Sequence, residues 1–188
     1  WSTVDFSYIA TLRGHACGVY SVCFSHDSEI VAGGSKNQIK LWSTSNHTCI
    51  QTLTGHSDFV NCLSYSADGA WLVSGGDDNS LKMWSTSDYS CVATLSGHSN
   101  YVNSVCISAD STIVASASGD ESIQLWSIHG RRCIQTLTGH TAFVSCVCIS
   151  ADKRWLVSGG CDKTMKIWSM IDYSCMHTLR GHSGSIFS

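Results

Sequence analysis

The sequence has few charged residues, no proline and no long apolar run. Among its 188 residues only 13% are Asp, Glu, Lys or Arg, and the formal net charge is −3. This balance gives no strong field to attract nucleic acid or an acidic membrane, so we predict neither as a partner. No hydrophobic run approaches the roughly 20 residues that a membrane span requires. The lack of proline is unusual for a loop-rich chain, while 43% hydrophobic residues indicate one globular domain rather than a disordered segment.

The eleven cysteines argue against a disulfide framework, because their number is odd and no Cys-x-x-Cys motif occurs. We interpret them as small buried hydrophobic residues in a reducing compartment, either the cytoplasm or the nucleus. Cys146 and Cys148 form a close pair without a companion pair of ligands, so we predict no metal site. Four cysteines share one position of a repeat, namely Cys49, Cys91, Cys133 and Cys175.

A short pattern recurs along the sequence at a nearly constant interval. Gly-His dipeptides stand at residues 14–15, 55–56, 97–98, 139–140 and 181–182. The tryptophans Trp42, Trp84, Trp126 and Trp168 are each 42 residues apart, and Trp1 precedes Trp42 by 41. A fixed period of about 40–45 residues predicts one supersecondary unit that is stacked several times.

The second unit shows the content of one repeat most clearly. Its strand-like runs are residues 60–66, 71–76, 80–85 and 91–95. Turn residues such as Ala67-Asp68-Gly69 separate these runs. In the third run, Leu81 and Met83 alternate with Lys82 and Trp84, which is typical of a strand. The unit therefore predicts a small four-stranded antiparallel sheet, which has to stack on neighbours because alone it cannot bury both faces.

The order of these features resembles the WD-repeat family of β-propellers. A Gly-His pair, a small-residue strand such as Val73-Ser74-Gly75-Gly76, an aspartate and a strand ending in tryptophan recur in register along the chain. The family's usual Trp-Asp is Trp-Ser here in every unit, which suggests a diverged lineage. The resemblance implies an all-β fold with four blades, each a four-stranded antiparallel sheet.

The resemblance also suggests how residues 1–188 are divided within a single propeller segment. Complete repeats are expected at about 14–54, 55–96, 97–138 and 139–180. Residues 1–13, with Trp1 and the run 8–12, are expected to be the last strand of a preceding blade, and residues 181–188 to begin a further repeat. We interpret the chain as part of a seven- or eight-bladed ring; four blades closing on themselves and two chains completing a ring of eight are the alternatives. Open blade ends would favour self-association through apolar surface.

The second, third and fourth units each contain histidine, serine and aspartate, which are the residue types of a hydrolase triad. The resemblance instead implies a buried structural network, because a buried indole, hydroxyl or imidazole without a partner costs about 1–3 kcal/mol. A nucleophile would be exposed and unique, whereas these groups recur, so we predict no catalytic residue, no enzyme activity and no cofactor. The networks implied by matching positions are His56, Ser74, Asp78 and Trp84; His98, Ser116, Asp120 and Trp126; and His140, Ser158, Asp162 and Trp168. In the first unit, we match the network positions to His15, Ala32, Lys36 and Trp42. This unit therefore lacks the serine and the aspartate.

The residues after each Gly-His pair are the predicted partner-binding surface. In WD-repeat propellers, partners often dock on the face that carries the loops between successive blades, and these residues fall there. The candidates are Phe59, Asn61, Tyr101, Asn103, Phe143, Ser145 and Asp77. Aromatic rings beside amide groups suit protein recognition, although packing between blades would also account for the rings.

We therefore expect a non-catalytic scaffold that binds other proteins or peptides through the top face and rim of a propeller. The expectation rests partly on family analogy, since one fold hosts many functions. The alternative function is a regulatory or sensor array attached to an enzyme domain outside this sequence.

Overall fold

Fifteen β-strands and no helix make up the secondary structure of residues 2–188, which are the residues described by the computed structural model. Trp1, expected to end an earlier repeat, lies outside the described residues. The strands pair as antiparallel neighbours in chain order and form four blades of four strands each. The predicted all-β architecture of four-stranded antiparallel blades is confirmed.

The four blades follow one another along the chain. The first contains β1 (Ser21–Phe24), β2 (Ile30–Gly34), β3 (Lys36–Ser43) and the first part of β4 (Cys49–Tyr65). The second contains the rest of β4, β5 (Trp71–Gly76), β6 (Ser80–Ser85) and β7 (Cys91–Ser96). The third contains β8 (Val102–Ile107), β9 (Ile113–Ser118), β10 (Ile123–Ser127) and β11 (Arg132–Leu137). The fourth contains β12 (Val144–Ile149), β13 (Trp155–Gly160), β14 (Met165–Ser169) and β15 (Cys175–Leu179).

The strand β4 runs without interruption from the first blade into the second. Leu53 pairs with β3 of the first blade, whereas Leu63 pairs with β5 of the second. Between these parts, Phe59 pairs with Lys36, and the Val60 N–H donates to the Ser35 carbonyl at 3.0 Å. Because the first blade's turn bonds directly to the chain entering the second, the repeat boundary expected at 54/55 lies inside a strand.

Most of the core lies between blades. A Cβ placed on Gly75 would come within 2.6 Å of Val102 Cγ1, so the valine of the third blade fills the space over this glycine of the second. Gly159 receives Ile186 in the same way, with 2.6 Å to Ile186 Cγ2. In both cases, an aliphatic residue near the start of one unit packs against a glycine in the second strand of the preceding blade and so holds the two units together.

One expectation about local structure is wrong and another stays a prediction. Residues 8–12 pair with no described strand, so their expected place as the last strand of a preceding blade is not tested. The four repeated cysteines, expected to be buried, are exposed, because they lie at or beside the start of each blade's outermost strand, where side chains face solvent: Cys49, Cys91, Cys133 and Cys175.

Candidate partner-binding face

The structure brings together all four residues of each predicted network. In the third blade, His98 Nδ1 lies 2.8 Å from Asp120 Oδ2, and His98 Nε2 lies 2.7 Å from Ser116 Oγ. The Trp126 indole N–H donates to the same hydroxyl at 2.8 Å. A carboxylate only accepts, so Nδ1 carries the proton, and the Ser116 hydroxyl donates to Nε2 while it accepts from the indole. The second and fourth blades repeat this geometry, with the corresponding distances between 2.7 and 2.9 Å.

Burial and hydrogen bonding set the charges of these networks. Burial lowers the pKa of His98, and the bond to Asp120 only partly offsets this effect, which keeps the buried imidazole neutral. Burial alone would raise the pKa of Asp120, but hydrogen bonds from Ser122 and His98 outweigh it and hold that pKa below its ordinary value. In the fourth blade, hydrogen bonds led by those from Thr164 lower the pKa of Asp162 to about 2 despite burial.

The networks have no access for a substrate. The Ser116 residue is 0% exposed, and its hydroxyl already bonds to both the imidazole and the indole. The matching serines, Ser74 and Ser158, are buried as well. Their hydrogen bonds join the inner end of each blade to its second and third strands.

The first blade lacks the serine because Gly33, not Ala32, occupies that position. Gly33 pairs with Lys40 as Ser74 pairs with Lys82, so Ala32 was the wrong match. The turn between the second and third strands is one residue shorter in the first blade than in the second. Counting back from Trp42 therefore assigned the serine position to Ala32 instead of Gly33. His15 Nε2 lies 3.1 Å from the Gly33 carbonyl.

The tryptophan of the first blade also has a different acceptor. The Trp42 indole N–H donates to the Arg13 carbonyl at 3.3 Å. A Cβ at Gly33 would lie 2.9 Å from the Trp42 ring, so the ring partly fills the space that a serine side chain would need. Two backbone carbonyls therefore replace the serine hydroxyl in this blade.

The predicted aromatic residues lie at the end of the blades where the chain passes from one blade to the next. Tyr101 and Phe143 are in edge-to-face contact across the third and fourth blades, with centroids 5.5 Å apart. Phe59 makes the same kind of contact with Tyr20 of the first blade at 5.4 Å. Phe143 remains 42% exposed. The rings thus pack against each other in pairs while still contributing to the surface.

The predicted polar residues tie neighbouring strands together. Asn61 Nδ2 donates to Asp77 Oδ1 at 2.6 Å and to the Val102 carbonyl of the third blade at 3.2 Å. Asn103 Nδ2 likewise donates to the Val144 carbonyl at 2.9 Å. Ser145 Oγ lies 3.6 Å from Cys161 Sγ. The amides are therefore held in fixed positions by links between blades.

Two aromatic residues of this face were not among the candidates. Tyr20 and Phe187 directly follow Val19 and Ile186, the positions that match the buried Val60, Val102 and Val144. This position could have been read from the sequence, since Asn61, Asn103 and Ser145 stand there in the other units. An open depression of about 310 Å³ is lined by Tyr101, Asn103, Phe143, Ser145, Cys161 and Phe187.

Other kinds of site were searched for within residues 2–188. No group of three or more His, Cys, Asp or Glu side chains there could hold a metal ion. In the same part of the chain, no helix has the length and apolarity to cross a membrane.

Four stacked four-stranded blades, each closed by a buried tryptophan, define the architecture as that of β-propeller blades. The WD40 family model, described as WD domain, G-beta repeat, matches residues 6–43, 47–85, 89–127 and 131–169. The chain belongs to the WD40-repeat family. Membership of this family implies a scaffold role in protein–protein interaction, and the family is generally non-catalytic.

Individual relatives match only part of their own length. Periodic tryptophan protein 2 of Arabidopsis thaliana is 35% identical over 69 residues, which cover 36% of this chain and 8% of that protein. Pre-mRNA-processing factor 19 of Bos taurus is 38% identical over 66 residues, which cover 35% of this chain and 13% of that protein. A solved structure of U3-55K superposes with a TM-score of 0.87 at 26% identity, over 93% of this chain and 55% of that one.

Proposed function

We propose that this chain is a non-catalytic scaffold whose partners dock on the face formed by the chain passages between blades and the turns that carry the network aspartates. We further propose an intracellular location, nuclear or cytoplasmic, since all eleven cysteines are free thiols. The printed name of one relative refers to pre-mRNA processing, which is compatible with the nuclear alternative. The docking surface would use the predicted candidates together with Phe187.

The observation that carries this proposal is the depression of about 310 Å³ at the third and fourth blades. Phe143 and Phe187 line it and are 42% and 74% exposed. Exposed aromatic rings beside fixed amide and hydroxyl groups match the composition of protein-binding hot spots. The Asn103 side chain is held by the Val144 carbonyl, so this polar group is already ordered before a partner arrives.

A peptide or protein is a better partner for this face than a nucleic acid. The chain carries 11 Lys and Arg residues against 14 Asp and Glu. Nucleic-acid affinity depends on neutralising several phosphates, which requires a cluster of cations. The depression is lined by aromatic, amide, hydroxyl and thiol groups, and none of its lining residues is cationic.

The test is a selection of random peptides on the whole immobilised chain, followed by fluorescence-polarisation measurement of each dissociation constant. We expect Phe143→Ala to weaken the selected peptides about tenfold or more, the effect of losing about 1.4 kcal/mol at an aromatic hot spot. Trp155→Ala is the matched control. Trp155 is 38% exposed but begins β13, at the opposite end of the same blade.

Both variants should keep the wild-type circular-dichroism spectrum, since each removes a partly exposed ring. Equal affinity losses for Phe143→Ala and Trp155→Ala would contradict the proposal, as would peptides whose binding neither variant changes. A loss confined to Phe143→Ala would support it.

A further inference from the structure

A cleft of about 350 Å³ lies between the first and second blades, on the face opposite the proposed docking surface. Antiparallel pairing places the β1–β2, β4–β5 and β6–β7 turns at this end of the blades. Asp27 of the first blade forms one side of the cleft. Tyr65, Gly69 and Tyr89 of the second blade form the other.

The matching place between the third and fourth blades is occupied by a lysine of the chain itself. Lys153, in the turn before β13, places its Nζ 2.5 Å from Asp110 Oδ2 of the third blade. The same Nζ donates to Thr112 Oγ1 at 2.9 Å. An ammonium group of the fourth blade therefore reaches the turn of the third blade in this chain.

At the first cleft, a glycine stands where that lysine would be. Ser66-Ala67-Asp68-Gly69 matches Ser150-Ala151-Asp152-Lys153, and Gly69 and Lys153 both adopt the left-handed conformation, with φ of 72° and 60°. A Cβ on Gly69 would lie 3.7 Å from His26 Cβ, so a side chain there would extend over the turn of the first blade. The cleft is open because Gly69 has no side chain.

The first blade retains the acidic half of the pair. By the same alignment, Asp27 replaces Asp110, and Glu29 replaces Thr112. Asp27 Oδ1 accepts from Ser25 Oγ at 2.5 Å and from the Glu29 N–H at 3.0 Å, which fixes the carboxylate in the turn. Within residues 2–188, no Lys, Arg or His nitrogen forms an ion pair with Asp27.

Two tyrosines supply walls that suit a cation on an aliphatic stem. The Tyr65 and Tyr89 rings pack against the apolar core between the first two blades. Burial, and then the negative charge of Asp27, raises the pKa of Tyr89, so this carboxylate acts on the tyrosine hydroxyl. The buried Tyr65 hydroxyl has no hydrogen-bond partner among the described residues. Aromatic faces beside a carboxylate attract ammonium groups through cation–π and ionic contact.

We propose that this cleft binds the side chain of a lysine on a partner polypeptide. Asp27, which lines the cleft, would accept the ammonium group as Asp110 accepts that of Lys153. The rings of Tyr65 and Tyr89 cover the methylene stem. Lysine is favoured over other cations because, between the third and fourth blades, the equivalent aspartate pairs with the ammonium of Lys153.

The first experiment is an NMR titration of the full chain with the blocked peptide acetyl-Gly-Lys-Gly-amide. We expect saturable shifts of the Tyr65 and Tyr89 ring signals, and at least tenfold weaker binding of the same peptide carrying Nε-acetyl-lysine. Asp27→Asn should weaken the lysine peptide several-fold, because the asparagine Oδ1 can keep the turn bonds while the charge is lost. Equal binding of the acetylated peptide, or no shift with either, would overturn the proposal.

A second pair of variants tests the cleft through its missing side chain. Gly69→Lys should supply an internal ammonium to Asp27 and abolish peptide binding. Gly69→Ala is the control, because it also places a non-glycine residue in the left-handed conformation but its methyl group is too small to fill the cleft. This variant should bind the lysine peptide as the wild type does. If Gly69→Lys binds the peptide as the wild type does, the proposal is wrong. If Gly69→Lys fails to fold, the Asp27→Asn and acetylated-peptide measurements decide.

Discussion

Replacing Asp120 by alanine would show how much a buried network stabilises its blade. The carboxylate accepts bonds from His98 Nδ1 at 2.8 Å and the Ser99 N–H at 3.0 Å, and from the Ser122 N–H at 3.0 Å and hydroxyl at 2.6 Å. The His98 side chain is 0% exposed, so its Nδ1–H would lose its main partner without access to water. An unsatisfied buried donor costs about 1–3 kcal/mol, and lost turn bonds add to this, so we expect a loss of about 2–4 kcal/mol. The melting temperature should fall by roughly 5–15 °C, measured by circular dichroism.

The matched control is Asp88→Ala. Asp88 Oδ1 accepts from the Ser90 N–H at 3.1 Å and from the Ser90 hydroxyl at 2.9 Å, in an exposed turn without a histidine. Asp88→Ala removes hydrogen bonds to a serine two residues later, as Asp120→Ala does, but it leaves no buried donor without a partner. The melting temperature should therefore change far less than for Asp120→Ala. A wild-type melting temperature for Asp120→Ala, or a fall no larger than that of Asp88→Ala, would refute the reasoning.

Three further predictions follow from packing, protonation and thiol exposure. Gly75→Ala should lower stability by about 1–3 kcal/mol in urea unfolding, because its Cβ would lie 2.6 Å from Val102 Cγ1; Gly184→Ala, with nothing within 4 Å, should be neutral. The three network histidines have pKa values lowered below 6.5, so the unfolded state binds protons first and stability should fall as pH drops below about 6.5. The three network aspartates have pKa values lowered below 3.8, so a further loss of stability should follow below that pH, both losses being visible in melts across a pH series. Burial raises the pKa of Cys62, so an aromatic disulfide reagent should modify the exposed Cys91 in the native protein and Cys62 only after unfolding.

Spacing predicted the four-stranded units, and the resemblance to WD-repeat propellers, applied to matching positions, implied the members of the networks. The tryptophan period fixed the third strands, and His98, Ser116 and Asp120 fall at offsets that the structure converts into direct hydrogen bonds. The resemblance could be carried over position by position because the same residue types recur at the same offsets in each of these three blades.

The first blade shows why pattern matching by itself falls short. Counting back from Trp42 selected Ala32, whereas strand pairing puts Gly33 at the serine position. The two differ because the turn between the second and third strands of this blade is one residue shorter. The sequence did contain the signal, since the serine follows the Gly-His histidine by 18 residues in the other blades and Gly33 follows His15 by 18. The exposure of Cys49 was missed for a related reason, because strand periodicity does not say which strand is outermost.

Comparing the blades with one another separates structural groups from candidate binding groups. A residue that recurs with the same partner, such as His56 with Asp78 and His140 with Asp162, is explained by the needs of a buried blade. A carboxylate that lacks the cation found at the equivalent place between two other blades is not explained in that way. Asp27 accepts the same turn bonds as Asp110, but Gly69 supplies no counterpart to Lys153. Because the Asp27 carboxylate, Tyr65 and Tyr89 line a cleft that no side chain at position 69 fills, we expect a partner's side chain to bind there.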